Sequence, residues 1–164
     1  MKAALFIIDM QKKFCRNNQV RIDSLNSASE YVNAAITLFR KKNLPIFVIQ
    51  HKNEEENLVP GTLDFEVLES LKLKPQDQRI IKTYSNSFIK TGLVEKLKAF
   101  DVDTLIITGF CAEYCVLSTY KGAEDLDLNP IILRGSIASD NTEHIRFVEE
   151  ITETITYGAL TTLL

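Results

Sequence analysis

The feature that most constrains this chain is the spacing of its apolar runs. Five are short, nearly continuous and rich in Ile, Val and Leu: residues 3–8, 45–49, 79–81, 104–108 and 130–133. Runs of this length without polar alternation predict strands buried on both faces. Between them the apolar spacing turns helical. Tyr31, Ala34, Ala35, Leu38 and Phe39 recur at i, i+3, i+4, i+7 and i+8, behind a capping box Ser27-x-x-Glu30. Leu93, Leu97 and Phe100 mark a second helix, and residues 116–126 a third. Ile145, Val148, Ile151, Thr152 and Ile155 mark a fourth, with Gly158 as its stop. A shorter helix is expected over 64–73, and the tail 159–164 is expected as a closing strand. Strands alternating with helices mean βαβ units with right-handed crossovers. The predicted fold is therefore α/β, a three-layer α/β/α sandwich around a doubly wound, mostly parallel sheet. A length of 164 residues fits one domain, 1–164.

Composition narrows the class. Hydrophobic residues make up 45% and charged residues 25%, enough for a core and too apolar for a disordered chain. A net charge of −3 excludes a strongly basic footprint for nucleic acid or anionic lipid. No apolar run approaches the roughly 18 residues of a membrane helix. The run 3–8 is short, ends at Asp9 and lacks a small-residue cleavage site, so it is not read as a signal peptide. Three cysteines, Cys15, Cys111 and Cys115, are an odd count in a chain too long for a disulfide scaffold. Free thiols in a reducing cytoplasm are the expectation.

In a doubly wound sheet, ligands bind at the carboxyl ends of the strands, so the residues just past each run matter most. Asp9 follows the first run, Lys82 the third, and Gly109-Phe110-Cys111-Ala112-Glu113-Tyr114-Cys115-Val116 the fourth. Each has an ordinary reading: a loop Asp capping the next segment, a snorkelling lysine, a buried structural cysteine. Taken together, they place an acid, a cation and a thiol where strand ends converge. A thiol near a helix N-terminus is expected to have a lowered pKa. That set is the constellation for thiolate nucleophilic catalysis.

Three segments resemble the isochorismatase-like cysteine hydrolase superfamily, which includes nicotinamidases, N-carbamoylsarcosine amidases and isochorismatases. Ile7-Ile8-Asp9-Met10-Gln11-Lys12-Lys13-Phe14 resembles the family's opening segment. Lys82-Thr83-Tyr84-Ser85-Asn86-Ser87-Phe88 resembles its lysine segment. Thr108-Gly109-Phe110-Cys111-Ala112-Glu113-Tyr114-Cys115-Val116-Leu117-Ser118-Thr119 resembles its nucleophile segment. The resemblance implies Asp9 as general base, Lys82 as electrostatic partner and Cys115 as nucleophile. It also implies an oxyanion hole from the backbone N–H groups of Cys111 and Cys115, and a cis peptide between Phe110 and Cys111. Phe14 and Phe88 would wall the substrate pocket, with Glu113 and Tyr114 near its entrance.

The pattern departs from the family in two places. Nicotinamidases carry an Asp-x-His pair and a further His after the second strand, holding a metal. Here the segment reads Ile49-Gln50-His51-Lys52-Asn53-Glu54, and the only other histidine is His144. No metal and no cofactor are expected, and His51 becomes a candidate pocket residue. The loop 51–63 is short, so a homo-oligomer whose neighbouring subunit completes the pocket is expected. The reading is a hydrolase of small amide-type C–N substrates working through a Cys115 thioester. The alternatives are a vinyl ether hydrolase with Asp9 as general acid, and a non-catalytic or thiol redox domain using Cys111 and Cys115.

Overall fold

A computed structural model describes residues 2–164. Six strands, β1 (Ala3–Ile8), β2 (Ile46–His51), β3 (Gln78–Lys82), β4 (Thr104–Phe110), β5 (Asn129–Ala138) and β6 (Thr154–Ile155), form one sheet in the order β3-β2-β1-β4-β5-β6. Every pairing is parallel. The chain starts at the centre and winds outward both ways, so the winding reverses between β1 and β4. That reversal opens a crevice at the carboxyl ends of those two strands.

All six residues of β1 are buried, which is why its sequence shows no polar alternation. Ala3, Leu5 and Ile7 pack with Leu25, Val32, Ile36 and Phe39 of α1 (Gln19–Lys41). Ala4, Phe6 and Ile8 face the opposite core. There they meet Leu97 of α2 (Leu93–Ala99), Tyr120 and Ala123 of α3 (Leu117–Glu124), and Val148 of α4 (Thr142–Ile151). Helix α5 (Tyr157–Leu163) adds Leu160 to the α1 side. The three-layer expectation is met, with an all-parallel sheet.

Several local expectations are corrected. Helix α1 starts at Gln19 rather than behind Ser27, because the Asn18 side chain caps it by accepting from the Arg21 N–H. Leu25 and Ala28 carry the buried stripe upstream of the capping-box pattern. Residues 64–73 form no helix. Lys12 N–H donates to Glu66 O, Lys13 N–H to Asp64 O and Leu68 N–H to Met10 O, and Gln11 bridges Val67 in antiparallel sense. Backbone groups committed across the chain leave no helical ladder. The tail is helical, not extended. Thr156 caps α5 by accepting from the Ala159 N–H, Gly158 lies inside that helix, and the closing strand is β6 just before it. Strand β5 also runs to Ala138, five residues beyond the apolar run, past a register shift opposite Ile107 and Gly109.

One position fixes how closely β1 and β4 approach. Gly109 holds φ +125°, and a Cβ there would lie 2.1 Å from Ile8 O. Gly109→Ala is expected to cost roughly 2–6 kcal/mol, combining backbone strain and overpacking. By contrast, Gly158 has open space around it inside α5. Gly158→Ala is expected to stabilise by about 0.4–1 kcal/mol by restricting the unfolded chain. Urea titration of both variants checks the opposite signs.

Candidate active site

Asp9 is the first residue past β1, in the left-handed region at φ 53°, with its N–H bonded to Ile49 O on β2. His51 and Lys82 end β2 and β3 and are paired in the parallel register. These strand ends deliver their side chains to one place. Lys82 Nζ lies 2.9 Å from Asp9 Oδ2, and the two side chains are 0% and 2% exposed. Nζ also lies 3.3 Å from His51 Nδ1 and donates to Tyr84 O at 3.2 Å. An ammonium has three N–H groups; these three partners surround it, and it also acts on the Cys115 sulfur. The second oxygen of the acid, Asp9 Oδ1, is buried and has no hydrogen-bond partner.

The thiol arrives from β4. That strand ends at Phe110, the Phe110–Cys111 peptide is cis, and a single π turn (Ala112–Val116) leads into α3. Cys111 O accepts from the N–H groups of Tyr114 and Val116 and passes over that of Cys115 between them. Cys115 Sγ, a carboxylate oxygen of Asp9 and a ring nitrogen of His51 all lie within 4.8 Å of one another. Burial pushes the Cys115 thiol up to about 12, the Asp9 charge adds to this, and Lys82 pulls the other way. The expected lowering by a helix N-terminus is overturned. Burial and the adjacent carboxylate outweigh it, so Cys115 rests as a thiol and needs a base to react.

Glu113 sits in the same π turn and ties it to β5 and α4. Its Oε1 accepts from Ser139 Oγ at 3.0 Å and meets His144 Nδ1 at 2.7 Å, and its Oε2 accepts from Cys111 Sγ at 3.2 Å. Burial opposes its charge, yet hydrogen bonds from its own backbone N–H, His144 and Ser139 hold the carboxyl below its usual range. Burial and this acceptor push the Cys111 thiol far up. Sequence reasoning left His144 apart from the site, and the fold brings it to the π turn.

Gln11 is a second residue that sequence reasoning passed over. It is fully buried, its Oε1 accepts from His51 N–H at 2.8 Å, and its Nε2 donates to His51 O at 3.0 Å and Phe65 O at 3.1 Å. It locks the backbone of His51. The available signal was an amide side chain two residues past Asp9 at a buried strand end, where an unpaired polar group is costly.

The expected pocket walls separate. Phe14 stacks on Phe110 with ring centroids 5.0 Å apart and lines a cavity of about 440 Å³. Lys13, Arg21, Glu56 and Cys111 also line it. Lys13 pairs with Glu56, and Arg21 with Asp140 at 2.8 Å. Asp9, Lys82 and Cys115 do not line this cavity, and Cys111 is the residue that joins it to the π turn. Phe88 packs 6.3 Å from Phe6 against the core, and Tyr114 is 65% exposed.

Asp9, His51 and Cys115 are close enough to hold a cation. The donor set does not fit one, because the Lys82 ammonium already lies against both Asp9 Oδ2 and His51 Nδ1. A second positive charge there would meet direct repulsion.

Residues 3–156 match the isochorismatase domain, and the chain belongs to that family of hydrolases. It is 29% identical over 140 residues to the isochorismatase family protein YrdC of Bacillus subtilis, covering 84% of this chain and 74% of that one. An isochorismatase-like hydrolase from Alkaliphilus metalliredigens superposes with a TM-score of 0.89 at 21% identity, over 99% of each chain. The N-carbamoylsarcosine amidase of Thermoplasma acidophilum superposes with a TM-score of 0.82 at 20% identity, over 96% of this chain and 97% of that one. Among the described residues no helix is long and apolar enough to cross a membrane.

The thiol's environment makes a testable statement. Alkylation of Cys115 by iodoacetamide, followed by peptide mass mapping, should keep rising with pH well past the ordinary thiol range near 8.5. Asp9→Asn removes the negative neighbour and should move the midpoint down. Lys82→Met should move it up.

Proposed function

We propose that the protein is a cysteine hydrolase of small amide-type C–N substrates, with Asp9, Lys82 and Cys115 as its catalytic residues. The observation that carries this reading is the unpartnered Asp9 Oδ1, buried beside the Cys115 thiol, with Lys82 against the other oxygen. Asp9 is thereby poised to accept a proton, and Lys82 holds its other oxygen while favouring the thiolate. The amidase among the fold relatives supports the choice of bond.

The chemistry runs in two halves. As Cys115 Sγ attacks the carbonyl carbon, its proton passes to Asp9. The oxyanion is received by the backbone N–H groups of Cys111 and Cys115, each worth about 3–4 kcal/mol of barrier. The C–N bond breaks, Asp9 returns the proton to the departing nitrogen, and a Cys115 thioester remains. Water then attacks the thioester, giving its proton to Asp9. The C–S bond breaks, the acid leaves and Cys115 regains its proton. Phe14, which shares its cavity with Cys111, is assigned to the pocket wall, and Glu113 and Tyr114 of the π turn to its entrance. We further assign the protein to a reducing cytoplasm as a homo-oligomer without a cofactor, acting on a small molecule.

The test is a panel of small carboxamides and ureides, scored by amine or ammonia release, with acid quench and intact mass to capture the thioester. Cys115→Ser is expected to lose activity by at least about 10³-fold, comparable with removal of a nucleophile in related triads. Turnover that survives complete alkylation of Cys115 overturns the reading. Assayed on isochorismate, a vinyl ether hydrolase would instead lose activity in Asp9→Ala and keep it in Cys115→Ala.

A further inference from the structure

Asp9, Lys82 and Cys115 do not exhaust the polar groups of the crevice. His51 is half-buried within 4.8 Å of both the sulfur and the carboxylate. Its backbone is gripped on both sides by Gln11, which donates to its carbonyl and accepts from its N–H. A residue held this firmly at a strand end has an orientation set by the fold.

The hydrogen-bond inventory then fixes its ring. An ammonium has no acceptor. At 3.3 Å from Lys82 Nζ, His51 Nδ1 can only accept, so the proton of the neutral ring lies on Nε2. Burial and the Lys82 charge hold the ring below its usual range, with Asp9 and Glu56 opposing and Lys13 reinforcing. The ring is therefore neutral near pH 7. Lys82 is occupied by Asp9, His51 and Tyr84 O, and Asp9 by the proton relay. His51 Nε2–H is then a donor in this cluster with no assigned task. His51 shares Lys82 with Asp9, the residue that protonates the departing nitrogen, whereas the oxyanion donors belong to the backbone of the nucleophile turn.

We propose that His51 is a fourth catalytic residue, a neutral Nε2–H donor that binds an acceptor atom on the leaving-group side of the scissile C–N bond. This rests on the amidase reading and deepens it. It selects substrates whose departing nitrogen itself carries a carbonyl, as in an N-acyl ureide, over simple amides. Lys82 serves the reaction twice, anchoring the carboxylate on one side and fixing the tautomer on the other.

Two measurements on the full chain test this, and they fail separately. The first is imidazole ¹⁵N NMR at pH 7 on protein labelled at histidine, with His51 assigned by its loss in His51→Asn. A bare Nδ1 and protonated Nε2 are expected, with the preference lost in Lys82→Met. A ring protonated on Nδ1, or on both nitrogens, overturns the proposal whether or not the protein is an amidase. The second compares kcat/KM for N-acetylurea and N-methylacetamide. The preference for N-acetylurea should fall about tenfold in His51→Asn, which keeps an acceptor for Lys82 but loses the distal donor. His51→Gln, which places an N–H near the Nε2 position, should recover part of it. An equal loss on both substrates in His51→Asn, or no recovery with Gln, reduces His51 to packing and overturns the proposal. If neither substrate is turned over, the leaving-group assignment of His51 is overturned, whereas the amidase reading is decided by the wider panel and by alkylation of Cys115.

Discussion

The buried Lys82 ammonium is the interaction on which the site depends. Taking an ammonium out of water costs several kcal/mol, recovered only when its N–H groups all find good acceptors. Those acceptors come from three places in the chain: Asp9 past β1, His51 at the end of β2, and the Tyr84 carbonyl just after β3. The lysine can therefore be buried only when the carboxyl ends of three neighbouring strands are in register. A slip of one residue in β3 would turn Lys82 to the other face of the sheet. Such a pair is weak evidence for net stability, but it penalises every arrangement in which one partner is missing.

Charge accounting shows how this arrangement suits thiol chemistry. With a thiol, a carboxylate and an ammonium, the resting crevice is neutral. In the proposed reaction, Cys115 attacks, Asp9 takes its proton, the negative charge moves from the carboxylate to the oxyanion, and the total stays zero. No new charge has to be desolvated on the way to the tetrahedral intermediate, and the backbone donors that receive it are already in place. A thiol pushed up to about 12 is consistent with this scheme. The carboxylate that suppresses the resting thiolate is the same group proposed to remove the proton during attack.

The legible part of this molecule was whatever depended on local pattern. Strands β1 and β4 were readable because both faces of each are buried, leaving unbroken apolar runs. Asp9 and Lys82 were readable because each stands where a run stops, and Cys115 because it lies in the segment that leads from the fourth run into the next helix. What escaped depended on distant partners. Residues 64–73 have passable helical spacing, but their backbone is taken by residues 10–13. The link from Glu113 to His144 exists only because α4 packs beside the π turn. The direction of the Cys115 shift was misjudged for the same reason. A helix terminus is visible in sequence, whereas burial and the approach of Asp9 are products of the fold.

Two clamps flank the crevice, one on each side of the winding reversal. On the β1–β2 side, Gln11 fixes His51 and the strap at Phe65. On the β4–β5 side, Glu113 joins the π turn to Ser139 and His144. Asp9 belongs to the first side and Cys115 to the second. They meet across the β1–β4 contact, where Gly109 admits the backbone of Ile8. The distance between sulfur and carboxylate is therefore not set by either residue's own neighbours. It is set by how closely two parallel strands approach, which makes a glycine that takes no part in the chemistry the element that brings the two halves of the site together.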